Sequence, residues 1–386
     1  MPTDTCAPTP TLPSLNTCPP GSQTPTPRIL VYVANSLDDS VSVIDARANT
    51  PFGPPIALRV GDQLPGIRPQ NLAFSPDHRF LYVTNFGAIG SSVSRISTQD
   101  NALAGGISKL VPNYGGTLGV AVNDDERSCD KGSVYTTNIT DSVLFRASPD
   151  CFEPDASGNC LSATTRGFRS PYGVAFFAGS IYVTNARRAV ITVVKQDLTQ
   201  DTTIPAGSAR GIAVMDANTL VVANPQAKAI SVLYRGDCAA WGVETGEGCH
   251  DDRGWCVCKL PVGNDKEPES VAVDRAANRA YVTNRRSASF WVVDTASRPP
   301  RIVEQPLRPP LEARLFGVAV RPDGEFAYIT GNKTNQAANG IEAEAIEPGF
   351  VWVVETQNFT TEKELEVGTS PRGIAVGEVP PECGVP

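Results

Sequence analysis

The chain has 386 residues, of which 19% are charged, with 33 Gly, 33 Pro, 2 Met and a formal net charge of −8. This is a turn-rich β composition, not that of a helical or disordered chain. The acidic balance argues against nucleic acid or an anionic membrane surface as partner, since both want a basic face. No apolar run approaches the roughly 18 residues of a membrane helix.

Residues 1–27 are rich in Pro and Thr and carry almost no apolar pattern, so they read as an extended tail or linker. No signal peptide follows Met1. Ten cysteines suggest an oxidising compartment, so an export signal is expected to have been removed, and the tail is a possible point of surface anchoring. From residue 28 onward one phrase recurs seven times: VYVAN (31–35), LYVTN (81–85), VYTTN (134–138), IYVTN (181–185), LVVAN (220–224), AYVTN (280–284) and AYITG (327–331). The mean spacing is about 49 residues, a propeller-blade period.

Residues 267–307 show one whole repeat. EPESVAVD, AYVTN, FWVVDTA and RIVEQPL are four short apolar runs separated by turn residues, which predicts a four-stranded antiparallel meander. Both faces of such a sheet are apolar, so it must stack against its neighbours. The entry run also occurs seven times: PQNLAF (69–74), TLGVAV (117–122), PYGVAF (171–176), ARGIAV (209–214), PESVAV (268–273), LFGVAV (315–320) and PRGIAV (371–376). It is displaced by one element. The first YVAN has no entry run before it, and the last entry run has no YVTN after it. The expected solution is a ring, with Pro371–Val376 completing the first blade and leaving no open end.

The recurring P-x-G-(I/V)-A-V, YVTN and (S/T)-V-x-V-(I/V)-D phrases resemble the YVTN family of β-propeller repeat proteins over about residues 28–378. The resemblance implies an all-β, seven-bladed propeller of the bacterial surface or periplasmic type, similar in fold to lactonases and virginiamycin B lyase. It carries over no catalytic residue. LVVAN lacks the Tyr and AYITG the Asn, both at framework positions. Residues 379–386 form a short C-terminal tail containing Cys383.

The meander order puts the second-to-third and fourth-to-entry loops on one face, here the top, and the remaining loops on the bottom. Every cysteine is then expected at the bottom. Cys129 falls in the first-to-second loop of blade 3, and Cys151 and Cys160 in its third-to-fourth loop. Cys238, Cys249, Cys256 and Cys258 fall in the corresponding loop of blade 5. Cys6, Cys18 and Cys383 lie at the chain ends. Cys151–Cys160 is a candidate local bridge, and Cys383 with a tail cysteine a candidate staple; the other pairings stay open. Cys249, His250, Cys256 and Cys258 also suggest zinc, but the spacing lacks the usual knuckle and disulfides are preferred. With two histidines, His78 and His250, no multi-histidine metal or haem cofactor is expected.

On the top face, the residue before each G-(I/V)-A-V run is expected to ring the funnel mouth. These are Gln70, Leu118, Tyr172, Arg210, Glu269, Phe316 and Arg372. Aromatic area plus a few polar groups suits a small ligand; the alternative is a self-satisfied ring with Glu269 paired to an arginine. Arg187, Arg188, Lys228, Arg285, Arg286 and Lys333 add a basic sector over blades 4–7, against Asp38, Asp39 and Asp141 over blades 1 and 3. Guanidinium forks bind carboxylate, phosphate or sulfate, while the plainer reading is solvated loop charge. The long loop from about 332 to 348, with Glu342, Glu344 and Glu347, is a candidate lid or partner site.

The chain carries no GxSxG, P-loop or HExxH motif. Asp124, Asp125 and Glu126 read as a solvated turn. The functional expectation is a noncatalytic binding or scaffold module that engages a small anionic ligand or a partner's acidic segment through Arg210, Arg372 and the basic sector. One rival is a lactonase-like hydrolase or lyase in the same funnel, for which Glu269 is the only carboxylate in the ring. The other is a surface-layer or adhesion subunit.

Overall fold

The computed structural model describes residues 26–58, 66–87, 91–111, 116–126, 128, 130–153, 161–165, 167–177, 179–246, 248–264, 266–286, 289–304, 313–333 and 348–380. Cys6, Cys18, Cys129, Cys160, Cys383 and the acidic loop with Glu342, Glu344 and Glu347 lie outside the described residues.

Seven antiparallel sheets account for the strands, each built in the meander order the repeat predicts. Blade 4 is typical. Its strands are Pro171–Phe177, Ser180–Asn185, Val190–Lys195 and Gln200–Pro205, paired in sequence order from the axis outward. The YVTN phrase is always the second strand, and its tyrosine is buried between neighbouring blades: Tyr32, Tyr82, Tyr135, Tyr182, Tyr281 and Tyr328 are all at most 2% exposed. The core therefore lies between sheets. Val221, Val232 and Tyr234 of blade 5 pack on Ala280, Val282 and Val293 of blade 6.

Ring closure is as expected. Pro371–Val379 pairs with Arg28–Asn35, Leu30 opposite Gly377 and Tyr32 opposite Ala375, so the last strand of the chain is the innermost strand of blade 1. Val31, Val33 and Ile44 of blade 1 then pack on Tyr328, Val351 and Val353 of blade 7. The Tyr328 hydroxyl donates to Asn49 Oδ1 (2.8 Å), and the buried Arg321 guanidinium donates to the Ala46 carbonyl (2.9 Å). The protein is a seven-bladed β-propeller.

Blade 5 departs from the sequence reading in two ways. Its inner strand is Ile212–Asp216 and not 209–214, because Arg210 and Gly211 bond across to Ala223 and Glu269 through their amides. Cys256 and Cys258 lie on the fourth strand, Trp255–Pro261, and not in a loop. A fifth strand, Cys249–Asp252, caps that edge.

Disulfides join Cys238 to Cys256 and Cys249 to Cys258. All four sulfurs are thus spent in pairs, which overturns the zinc reading. His250 is exposed on the capping strand. Closing an 18-residue separation contributes about 3 kcal/mol in the chain-entropy account. Cys151 is also disulfide-bonded, with its partner outside the described residues. No helix among the described residues is long and apolar enough to cross a membrane.

Candidate functional site

The funnel is built by a three-residue register repeated on the inner strands. The first residue faces the mouth, the second is usually glycine, and the third is aliphatic. The glycines answer to close approach and not to backbone conformation. A Cβ on Gly119 would sit 2.4 Å from the Tyr172 carbonyl, on Gly173 2.4 Å from that of Arg210, on Gly317 2.5 Å from that of Arg372, and on Gly373 2.3 Å from that of Gln70. Neighbouring inner strands touch there, backbone against backbone.

The YVTN threonine fastens that contact, a role the sequence reading missed. Thr184 Oγ1 accepts the Gly173 amide (2.8 Å) and donates to the Arg210 carbonyl of the next blade (2.6 Å). Thr84, Thr137, Thr283 and Thr330 donate in the same way to the carbonyls of Leu118, Tyr172, Phe316 and Arg372. Each acceptor is a mouth residue, so the motif sets the height of the funnel rim. Presence of Thr in five of seven copies was the available signal. In blade 5 the position is Ala223, and the Gly211 amide bonds directly to the Glu269 carbonyl (3.0 Å). Thr184→Val keeps the bulk but leaves both backbone groups unpaired. It should cost about 2 kcal/mol in urea unfolding; a change below about 0.5 kcal/mol would show the staple to be redundant.

Six of the seven residues expected at the mouth line the cavity, and the seventh, Arg210, does not. Gln70, Leu118, Tyr172, Glu269, Phe316 and Arg372 line a central cavity of about 250 Å³, joined by Arg285, and Arg210 reaches in to Glu269. Below them Leu72, Val120, Val174, Ile212, Val271, Val318 and Ile374 form an aliphatic collar. Arg187 is exposed and does not line this cavity.

Half of the ring satisfies itself. Arg210 donates to Glu269 Oε2, and the Tyr172 hydroxyl donates to Glu269 Oε1 (2.5 Å). The Arg210 guanidinium also lies over the Tyr172 ring, 5.5 Å from its centre. Burial, then Glu269, push the Tyr172 hydroxyl far above its ordinary pKa, so it stays a neutral donor. Burial is the largest single influence and works against the Arg210 charge, but Glu269, Tyr172 and Glu267 together outweigh it and the pKa is raised. Glu269 thus has a donor on each oxygen and is 8% exposed.

On the other side of the mouth, cations meet an aromatic ring. The Arg372 and Arg285 guanidinium groups lie 4.1 and 5.8 Å from the centre of the Phe316 ring. Among the described residues no carboxylate bridges Arg285. Its neighbours are engaged: Arg286 and Lys228 share Glu267 at 3.1 and 3.8 Å, Lys333 pairs with Glu364, and Arg188 donates to the Gly167 carbonyl (2.8 Å). The acidic loop of blade 1 is likewise structural. Asp39 accepts the amides of Gly66 (2.7 Å) and Arg68 (2.8 Å), and Asp38 accepts that of Thr369. Of the basic sector read from the sequence, Arg285 alone lines the cavity among the described residues, and it shares the Phe316 ring with Arg372 of the mouth.

No family model and no curated protein matches the chain. Solved structures do. A functionally unknown protein from Desulfotomaculum acetoxidans is 13% identical with a TM-score of 0.59, over 91% of this chain and 99% of that one. A catalytically inactive histidine-to-alanine variant of virginiamycin B lyase from Staphylococcus aureus, with quinupristin, is 14% identical with a TM-score of 0.58, over 80% and 92%. Hydrazine synthase of Kuenenia stuttgartiensis is 17% identical with a TM-score of 0.53, over 87% and 97%. At such identities the likeness is one of fold.

Proposed function

We propose that this chain is an exported propeller of the YVTN type that acts as a binding module and takes a small anion, or a partner's acidic segment, in its top funnel. The family assignment rests on the seven motif copies. Export is supported by the paired cysteines. The observation that carries the binding reading is the division of the mouth. Glu269 is consumed by Arg210 and Tyr172, while Arg285 and Arg372 face the cavity over Phe316. Guanidinium groups on an aromatic face, in a concave site, suit an oxyanion.

Among the described residues that line the cavity, Glu269 is the one carboxylate a hydrolase or lyase could use, and both its oxygens are hydrogen-bonded. Virginiamycin B lyase is inactive in a histidine-to-alanine variant. Here His78 sits on a bottom turn against the Glu378 carbonyl (2.8 Å) and His250 on the outer edge of blade 5, both away from the funnel.

Thermal stability against carboxylates, phosphate, sulfate and sugar lactones tests the reading. A ligand at 100 times its Kd should add about 2.7 kcal/mol. The gain should disappear in Arg285→Ala/Arg372→Ala. Absence of any gain, or one that survives in that variant, would sink it. Lactone turnover that Glu269→Gln abolishes would establish the enzymatic alternative.

A further inference from the structure

The mouth and the collar together narrow the ligand class, on the premise that the funnel binds an anion. Apart from the closed Arg210–Glu269 pair, the charged groups at the mouth lie on one arc. Arg285 and Arg372 flank Phe316 on the side of blades 6, 7 and 1. The facing arc, on blades 2 and 3, is neutral: Gln70 is tied by its amide to Ser36 Oγ (2.9 Å), and Leu118 is aliphatic and buried. Beside the seat, Glu269 is closed on Arg210 and Tyr172. That pair offers no cation to a second anionic group on the ligand. The floor is the aliphatic collar, and Leu72, Ile212, Val271 and Ile374 are only half buried, so the cavity keeps apolar surface within reach.

We infer that the funnel takes a monocarboxylate with a compact apolar body. The carboxylate sits against Arg285 on the charged arc, and the body lies on the collar. The size is consistent. An apolar cavity of about 150 Å³ holds benzene, and this one is about 250 Å³, enough for a benzene-sized body and a carboxylate. Sugar acids match the charge but would lay hydroxyls on Val271 and Ile212. Dicarboxylates and phosphate bring a second negative charge that the closed Arg210–Glu269 pair does not answer.

Isothermal titration of the full chain with benzoate, hexanoate, gluconate, succinate and inorganic phosphate decides this. Benzoate and hexanoate should bind at least tenfold tighter than the other three. Arg285→Ala should weaken both by at least tenfold. Val271→Thr, isosteric and on the collar, should weaken benzoate and hexanoate severalfold while leaving Arg285 in place. Gluconate, succinate or phosphate binding as tightly as benzoate through Arg285 would overturn this inference and leave the anion-binding reading standing. Binding of none of the five would overturn both. Unaltered benzoate affinity in Val271→Thr would remove the collar from the argument and overturn the apolar-body assignment.

Discussion

Gly173→Ala should destabilise the propeller by about 3 kcal/mol, the upper range for forcing one extra carbon into a closed contact. The added Cβ would sit 2.4 Å from the Arg210 carbonyl and 3.1 Å from Thr184 Oγ1. The first neighbour is backbone and cannot rotate away, and the second is the staple that holds the blades at that distance. Relief requires blades 4 and 5 to part at the axis, which breaks the Thr184 bond as well. The control is built into the ring. Blade 6 carries Ser270 at the same position and already houses a Cβ, so Ser270→Ala should change stability by less than about 0.5 kcal/mol. Urea unfolding of both variants checks the pair. Equal costs would show that the glycines are replaceable and that the threonine staple alone sets blade spacing.

These residues also show how far the sequence could be read. Displacement of the entry run by one element implied a closed ring, and Leu30 opposite Gly377 bears that out. The offset of mouth residues from G-(I/V)-A-V was sufficient to collect Tyr172, Arg210 and Glu269 from three blades, because one register recurs around an axis. Pairing among them was not legible. Arg210 and Arg372 occupy the same repeat position, yet Arg210 meets a carboxylate on the next blade and Arg372 meets the ring of Phe316. That difference depends on what the adjacent copy presents.

Loop charges failed for a related reason. Glu267 lies just before the recurring PESVAV run, two residues before Glu269, and its position between Lys228 and Arg286 follows only from folding. Asp38 and Asp39 looked like a charged rim but serve as backbone caps, as aspartates in tight loops often do. The fourth strand of blade 5 carries its own signal in the sequence. W-C-V-C-K-L alternates with period two, the mark of a strand, and Cys256 and Cys258 therefore share a face.

Arg210→Met should cost about 3 kcal/mol, and Glu269→Gln distinctly less. The asymmetry follows from burial. The Glu269 side chain is 9% exposed and that of Arg210 25%. Removing the arginine leaves a carboxylate out of water with only the Tyr172 hydroxyl, and an uncompensated buried charge is the expensive outcome. Removing the carboxylate leaves a guanidinium that can turn toward the open mouth. Arg210→Met/Glu269→Gln should accordingly recover most of the loss, giving a coupling of about 2–3 kcal/mol in the double-mutant cycle. Because the pair is spent on itself, the double variant should also retain benzoate affinity within about threefold, less than 1 kcal/mol, while Arg285→Ala loses it. Additive costs would mean that the pair is solvated and Glu269 open to act as a base. Lost affinity in the double variant would return Arg210 to the binding site and move the ligand's seat toward blade 5.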